Sequence, residues 1–291
     1  MPELPEVETV VLGLKREVLN RKIIDVWTDF LKMIKSHKSF SAFKKEIIGT
    51  KIKNIERVGK NIVFQLSNGK YLLIHQKLTG HLLLGKWKKE GKKWVSEIEG
   101  PLKEDPMNTF LHFILFLDDG RQIALSDLRK FAKILLLDEE GLKKELSGLG
   151  VDPLSREFTF SKFWQILKTA KNRKIKQLLM DQSKISGIGN IYSDEVLWKS
   201  KIHPLFAANK ISPERARELY KNIKEILKKA IRLGGESISD FRKIDGTLGG
   251  FDKERAVYRR EGQPCSRCKT KIERIKINGR SSYFCPKCQR L

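Results

Sequence analysis

Residues 265–288 read CSRCKTKIERIKINGRSSYFCPKC, and this stretch decides how the end of the chain folds. It contains two Cys-x-x-Cys pairs, Cys265 with Cys268 and Cys285 with Cys288. This spacing is typical of four thiolates that bind one tetrahedral Zn²⁺ ion and leave no coordination position open. We therefore predict one structural zinc site rather than a catalytic one.

The sequence between the cysteine pairs predicts a β-hairpin, because Asn278-Gly279 separates two strand-like runs. Arg280 would then lie at the tip of a hairpin that the metal holds rigid. An exposed arginine is usually only solvated. One at the tip of a rigid, strongly basic module is better suited to contact phosphate groups.

The whole chain is basic, with 59 Lys and Arg residues against 35 acidic ones and a formal net charge of +24. Such a surface attracts polyanions. No amphipathic anchor is evident and no apolar run approaches the ~18 residues that span a membrane, which favours nucleic acid over lipid. A lysine-rich source organism is the alternative explanation for part of the excess. The four cysteines all lie in the C-terminal module, which argues against a disulfide framework and predicts a cytoplasmic protein.

Residues 1–137 are expected to form a β-sandwich with one leading helix. Helical spacing of apolar residues runs from Pro5 to Asn20, and seven short apolar or alternating runs follow. Asn68-Gly69 and Asp119-Gly120 each separate two of these runs and predict hairpin turns. The charged stretch from Lys86 to Glu104 is interpreted as a long surface loop.

The remainder is expected to be helical over 138–250 and to form a zinc finger over 251–291. One apolar stripe marks a long helix near Pro213–Leu233, which Gly234-Gly235 ends. In SGIGNIYSDE, Gly187 and Gly189 form a turn before a helix that begins near Ile191. Exposed N–H groups at such a helix start can bind an anion, although a short glycine turn alone more often marks an ordinary loop.

The N-terminus places acid beside a possible nucleophile. Removal of Met1 would expose the secondary amine of Pro2, which can attack an electrophilic sugar carbon and form an iminium. Such chemistry needs a carboxyl group nearby to transfer protons. Glu3 is adjacent in sequence and Glu6 lies one helical turn further on. We therefore interpret the acidic residues of MPELPEVETV as partners of the amine; the alternative is that they only favour a helix start.

Several motifs, in this order along the chain, resemble bacterial formamidopyrimidine-DNA glycosylases. They are PELPEVET, GIGNIY, HPL, GG-x-S-x-x-DF, VY-x-R-x-G-x-PC and YFCPKCQR, and they span essentially the whole sequence. The sister family that removes oxidised pyrimidines typically begins Pro-Glu-Gly-Pro-Glu. Leu4 therefore favours the purine branch.

This resemblance implies a bifunctional base-excision enzyme that acts as a monomer on damaged double-stranded DNA. It makes residues 1–137 the catalytic domain and residues 138–250 a helix–two-turn–helix DNA-binding domain. The lesion, 8-oxoguanine or a ring-opened purine, is flipped out of the duplex, which would lie in the cleft between two domains. Pro2 attacks C1′, and the resulting Schiff base promotes β,δ-elimination. The resemblance makes Glu3 the general acid/base, Glu6 a supporting carboxylate and Lys60 a phosphate-binding residue that assists catalysis.

The resemblance also assigns residues that hold the distorted duplex. Asn190 and Arg280 match phosphate-binding positions, and Leu78, Arg129 and Phe131 match the residues that fill the void left by the flipped base. Judged by sequence alone, Leu78 and Phe131 could equally be core residues. The glycine-rich segment DGTLGGFDKERAVY matches a flexible loop that caps the lesion. Two local departures, SDLRKFA and Gln76-Lys77, bear on the opposite-base preference rather than on the reaction.

Two other functions remain open at this point. One is the oxidised-pyrimidine glycosylase of the sister family. The other is a non-catalytic zinc-ribbon protein that binds nucleic acid, which retention of Met1 would support because the proline nitrogen would then be an amide.

Overall fold

The computed structural model describes residues 2–291. Their contacts group into two compact units. The first contains the chain up to Ser147 together with Leu233–Asp252, and the second contains Gly148–Arg232 and Lys253–Leu291. The predicted division at 137 and 250 stays a prediction, and the grouping adds that Leu233–Asp252, which follows the long helix, belongs with the first unit.

The first unit is a β-sandwich of two four-stranded antiparallel sheets, as the sequence predicts. One sheet has the strand order β1-β8-β9-β5 and the other β10-β4-β3-β2. The strands are β1 (Ile23–Thr28), β2 (Ile52–Val58), β3 (Asn61–Leu66), β4 (Tyr71–His75), β5 (His81–Gly85), β8 (Leu111–Leu117), β9 (Gln122–Ser126) and β10 (Lys133–Leu137).

The predicted leading helix is α1 (Leu4–Val18), and the helices α2 (Phe40–Ile47) and α4 (Glu139–Leu146) also belong to this unit. The valines and leucines of α1 at helical spacing are all buried among the inward-facing residues of both sheets. Full burial of each such side chain stabilises the fold by about 1.5–3 kcal/mol. This packing fixes the start of α1, and with it Pro2 and Glu3, against the sandwich.

The interpretation of Lys86 to Glu104 as a surface loop is wrong. This stretch contains a hairpin of β6 (Trp87–Glu90) and β7 (Lys93–Ser96), followed by the short helix α3 (Pro101–Glu104). Trp87 is 3% exposed, and Trp94 stacks edge-on against Trp27 with ring centroids 5.3 Å apart. The two tryptophans anchor a hairpin whose other side chains are mostly charged.

The second unit is helical and ends in the predicted hairpin. Its elements are α5 (Phe160–Thr169), α6 (Ile175–Leu179), α7 (Asn190–Lys199), α8 (Pro213–Arg232), β11 (Glu273–Ile277) and β12 (Arg280–Phe284). The turn residues Asn278 and Gly279 both have positive φ, 47° and 74°, as a tight two-residue hairpin requires. No helix among residues 2–291 is long and apolar enough to cross a membrane.

Candidate functional site

A buried cluster of carboxylates surrounds the start of α1. Glu3 caps the helix, and the backbone N–H of Glu3 donates to Glu6 Oε2 over 2.7 Å. The second oxygen of Glu6 accepts a 2.8 Å hydrogen bond from the backbone N–H of Glu236. Glu3 and Glu6 are each 1% exposed, and Pro2 is buried beside them. Both oxygens of the Glu6 carboxylate are therefore fixed. One donor, the Glu3 N–H, belongs to the residue that directly follows the predicted nucleophile.

Sequence reasoning missed Glu236, which is 4% exposed. Its own carboxylate accepts a 2.8 Å hydrogen bond from the N–H of Ile238 and so shapes the turn that begins the glycine-rich segment. The residue occupies a variable position of the GG-x-S-x-x-DF motif, so the pattern gave no reason to select it.

Lys60 lies in the tight turn between β2 and β3 and is 8% exposed. Burial, together with the positive charges of Lys77 and Lys60, lowers the pKa of His75 to about 3. The ring is therefore neutral near pH 7, and its Nδ1 accepts a 3.0 Å hydrogen bond from the Lys77 N–H. This part of the first unit is strongly positive.

The three predicted void-filling residues lie on two loops that a single buried aspartate joins. Asp127 accepts hydrogen bonds from the Thr79 hydroxyl and, over 2.8 Å, from the Ala132 N–H. It therefore ties the loop that carries Leu78 to the loop that carries Arg129 and Phe131.

Leu78, Arg129 and Phe131 line one depression of this surface. The Arg129 guanidinium lies 4.6 Å from the centre of the Phe131 ring. Phe131 is 50% exposed and Leu78 is partly exposed, so neither belongs to the core. An exposed apolar ring backed by a cation suits contact with nucleobases rather than internal packing.

In the second unit, Asn190 connects the start of α7 to the finger hairpin. Its side-chain amide donates a 2.9 Å hydrogen bond to the carbonyl of Ser281, the residue after Arg280. Gly189 caps the helix, which begins at Asn190, one residue earlier than predicted. Arg280 is exposed and lines a cavity of about 280 Å³ together with Arg173 and Lys176.

A buried ion pair that sequence reasoning missed supports this connection. Lys176 Nζ lies 2.7 Å from Asp194 Oδ1, with side chains 2% and 1% exposed, and also donates to the Asn190 carbonyl over 2.9 Å. Asp194 in turn accepts from the Ser282 hydroxyl and the Tyr283 N–H, at 2.6 and 3.1 Å. The network holds α6, α7 and β12 together, and nothing in the spacing of these residues indicated it.

The four cysteines fit a structural zinc ion. Their sulfur atoms lie within 4.8 Å of one another, with separations of 3.4 Å (Cys268 to Cys285) and 4.0 Å (Cys265 to Cys288). Tetrahedral Zn–S bonds of about 2.3 Å require sulfur atoms about 3.8 Å apart. The four sulfur atoms can hold one zinc ion and leave it no open coordination position.

Helix α7 also fixes the orientation of the finger. The Trp198 indole N–H donates to Cys265 Sγ over 3.4 Å, and the Arg267 guanidinium stacks 3.8 Å from the Trp198 ring. Glu195 accepts three backbone N–H bonds, of 2.7, 3.0 and 2.8 Å, from residues 256–258, which lead into the finger. Burial raises the pKa of Glu195, and these donors oppose the rise.

Comparison with known proteins identifies the class. Family models match residues 1–134 (Formamidopyrimidine-DNA glycosylase N-terminal domain), 149–242 (Formamidopyrimidine-DNA glycosylase H2TH domain) and 262–291 (Zinc finger found in FPG and IleRS). Together with the fold and the zinc site, these matches define a DNA glycosylase of the helix–two-turn–helix class.

Relatives that match over their full length identify the family within this class. Formamidopyrimidine-DNA glycosylases of Herpetosiphon aurantiacus and Solibacter usitatus are 35% and 39% identical, over 99% and 100% of this chain and 100% of each relative. The chain belongs to the formamidopyrimidine-DNA glycosylase family.

Solved structures of DNA complexes have the same fold. The Lactococcus lactis Fpg complex with abasic-site DNA matches with a TM-score of 0.85 and 32% identity, over 99% of this chain and 100% of that one. MutM bound to DNA that contains carbocyclic 8-oxo-G matches with a TM-score of 0.85 and 33% identity, over 100% of both chains.

Proposed function

We propose that this chain is a DNA glycosylase and AP lyase that removes 8-oxoguanine and formamidopyrimidines from duplex DNA. The relatives carry the name of this activity, and the similar solved structures are complexes with lesion-containing and abasic DNA. Its substrate is chromosomal, so we propose that it acts at the nucleoid, in the cytoplasm. The observation that carries the chemical part of the proposal is the pair of buried carboxylates, Glu3 and Glu6, beside Pro2.

The nucleophile in this proposal is the secondary amine of Pro2 after loss of Met1, a residue outside the described part of the chain. The nitrogen forms a bond to C1′ as the bond between C1′ and the base breaks, and the base leaves with a proton. Opening of the sugar ring at O4′ then gives an iminium ion. Loss of a C2′ proton expels the 3′ phosphate, and a second elimination expels the 5′ phosphate.

Glu3 is proposed as the general acid/base at the sugar, because it follows Pro2 directly and is buried. Glu6 supports it by fixing the Glu3 N–H and so the start of the helix. Lys60, Asn190 and Arg280 are proposed to bind the phosphates that flank the lesion. Leu78, Arg129 and Phe131 are proposed to occupy the space that the flipped nucleotide leaves.

Zinc has a structural part in this proposal: four thiolates close its coordination shell, so it shapes the finger and takes no part in bond breaking. The finger then presents Arg280 to the DNA backbone. All proton transfers at the lesion are assigned to residues of the first unit.

Borohydride trapping tests the nucleophile. The mature protein should lack Met1 by intact-mass measurement and should form a reducible adduct with duplex that contains 8-oxoguanine. Pro2→Gly should greatly weaken the adduct while duplex binding persists. Pro5→Ala removes the other proline of the same motif and should still form the adduct. An undiminished adduct in Pro2→Gly, or one mapped to Lys60, would contradict the assignment.

A panel of duplexes, each with one defined lesion, tests the substrate. We expect excision of 8-oxoguanine and formamidopyrimidines to exceed that of oxidised pyrimidines. The opposite ranking would assign the chain to the activity of the sister family, and binding without any excision would make it a non-catalytic DNA-binding protein.

A further inference from the structure

The turn at Gly234-Gly235-Glu236 packs directly on the Glu6 carboxylate. Gly235 has φ +79°, and a Cβ atom added to it would lie 2.9 Å from Glu6 Oε1, 3.0 Å from Cγ and 3.3 Å from Cα. Real Cβ atoms do not approach other atoms so closely. Only glycine therefore lets the Glu236 N–H reach its 2.8 Å hydrogen bond to Glu6.

The same turn closes the base of the glycine-rich loop, residues 236–249. The Gly250 N–H donates to the Leu233 carbonyl over 2.8 Å, and the Phe251 N–H donates to the Gly235 carbonyl over 3.1 Å. A Cβ on Gly249 would lie only 2.3 Å from the Gly235 carbonyl oxygen. The loop thus leaves and returns at one place, and that place is in contact with Glu6. Leu248, directly before Gly249 at this base, is 57% exposed.

We propose that the Gly235-Glu236 turn is a positioning element for the reaction, which couples closure of the glycine-rich loop to the alignment of the N-terminal nucleophile. This inference rests on the proposed function, and it concerns residues that act through Glu6 rather than on the substrate. The loop would then have two parts: the exposed side chain of Leu248, which meets the nucleobase, and the Gly235-Glu236 turn, which holds the carboxylate beside Pro2.

The coupling follows from how Glu6 is held. One carboxylate oxygen accepts from the turn and the other from the Glu3 N–H, and Glu3 is bonded to Pro2. A turn that opens removes the Glu236 donor and loosens the carboxylate. The Glu3 N–H, and with it the Pro2 nitrogen, then loses its fixed position. A displacement of about 1 Å at a reacting group can slow a reaction on the order of a hundredfold.

An abasic-site substrate separates the two parts of the loop, because it has no base to cap. Gly235→Ala should slow single-turnover borohydride trapping on preformed abasic duplex on the order of a hundredfold, with Kd for that duplex unchanged. Leu248→Ala, which removes the exposed side chain, should slow lesion excision more than abasic trapping. A loop that only caps the base would leave abasic trapping in Gly235→Ala intact.

A glycine with the same backbone conformation elsewhere in the same unit controls for general destabilisation. Gly120 also has φ +79°, in the turn between β8 and β9, and a Cβ added there would have nothing within 4 Å. Gly120→Ala should lower the melting temperature through the same backbone strain and trap abasic duplex at the normal rate. If Gly120→Ala and Gly235→Ala slow trapping equally, the effect is loss of stability and the inference fails.

Glu6→Gln provides a test that does not depend on the fold of the turn. The amide has a single acceptor oxygen, so one of the two N–H donors would face an NH₂ group. This variant should show the same slow trapping with normal binding, and the double variant with Gly235→Ala should be no slower than the worse single one, because both act through one group. Additive losses would overturn the coupling. Absence of any adduct in the unaltered protein would instead refute the proposed function.

Discussion

The side chain of Asn190 donates a 2.9 Å hydrogen bond to the backbone carbonyl of Ser281, directly after Arg280. The first residue of α7 and the tip of the zinc finger are thereby joined by one bond. The joint is reinforced by the buried Lys176–Asp194 pair, which contacts both the Asn190 carbonyl and β12. Two proposed phosphate-binding residues, distant in sequence, thus share one support.

Arg280→Ala should retain zinc and weaken lesion-duplex binding by about 1–3 kcal/mol, because one charge-assisted contact is lost. Asn190→Ala should weaken binding too, and the two losses should be non-additive because Asn190 also positions the hairpin. Titration at several salt concentrations measures both effects. The control is Arg274, an exposed arginine of the same hairpin that pairs with Glu261 over 2.8 Å. Arg274→Ala should change Kd little. Fully additive losses would show that the hydrogen bond to Ser281 has no positioning role.

Loss of one zinc ligand should unfold the finger alone. Cys285 is fully buried, and the finger has only a small apolar cluster of its own, so the metal supplies most of its folding free energy. Cys285→Ser should release the single zinc ion, expose roughly the last 30 residues to protease and abolish specific DNA binding. The β-sandwich should keep its own unfolding transition. Ser281→Ala, in the same hairpin, should keep the metal. A metal-free protein with full excision activity would contradict the structural role.

The sequence predicted those elements whose local pattern admits one structure. Asn68-Gly69, Asp119-Gly120 and Asn278-Gly279 all form hairpin turns. Both residues of Asn278-Gly279 have positive φ, whereas in the other two pairs only the glycine does. The cysteine pairs likewise meet around one point, as their spacing indicates. At these positions the structure that the local sequence favours is the one found in the folded chain.

Features that depend on distant contacts were not predictable. The β6–β7 hairpin looked like a charged loop because only Trp87 and Trp94 anchor it, and their partners, such as Trp27, lie far away in sequence. Glu236 and the Lys176–Asp194 pair are charged residues, which are rarely buried unless paired, so nothing local marked them as internal. Their burial follows from backbone and side-chain partners that only the folded chain brings close.

Because Asp127 joins the two void-filling loops, we expect its substitution to impair the reaction on duplex DNA more than on single-stranded DNA. Asp127 is fully buried and holds both loops through Thr79 and Ala132. Asp127→Ala should loosen Leu78, Arg129 and Phe131 and slow excision from duplex strongly. Adduct formation with a single-stranded abasic oligonucleotide should suffer much less, because no opposite base must be kept from refilling the space. Asp118 is exposed directly after β8, and Asp118→Ala is the control variant. Equal loss on both substrates would show that Asp127 supports the fold rather than the wedge.

A buried histidine gives the first unit a predictable dependence of stability on pH. His81, at the start of β5, is 1% exposed, and its Nε2 lies 3.0 Å from Asn108 Oδ1. Burial lowers the pKa of His81 from 6.5 to about 4, which the hydrogen bond to Asn108 only partly opposes. Between these two values the unfolded chain binds a proton that the native protein does not. The free energy of unfolding therefore falls as the pH is lowered through this window and is fully retained above about pH 6.5.

Urea unfolding between pH 7 and 5.5 measures this effect above the pH range in which exposed carboxylates titrate. Each such histidine contributes at most about 1.4 kcal/mol per pH unit, and His75, with a pKa of about 3 for the same reason of burial, should add a similar slope. His81→Gln should remove its share of the slope whatever its effect on stability at pH 7, and His75→Gln should remove the other share. The slope depends on the difference in proton binding between the unfolded and the native protein. If His81→Gln leaves the slope of the unfolding free energy against pH unchanged, the His81 ring is already accessible to protons in the native fold.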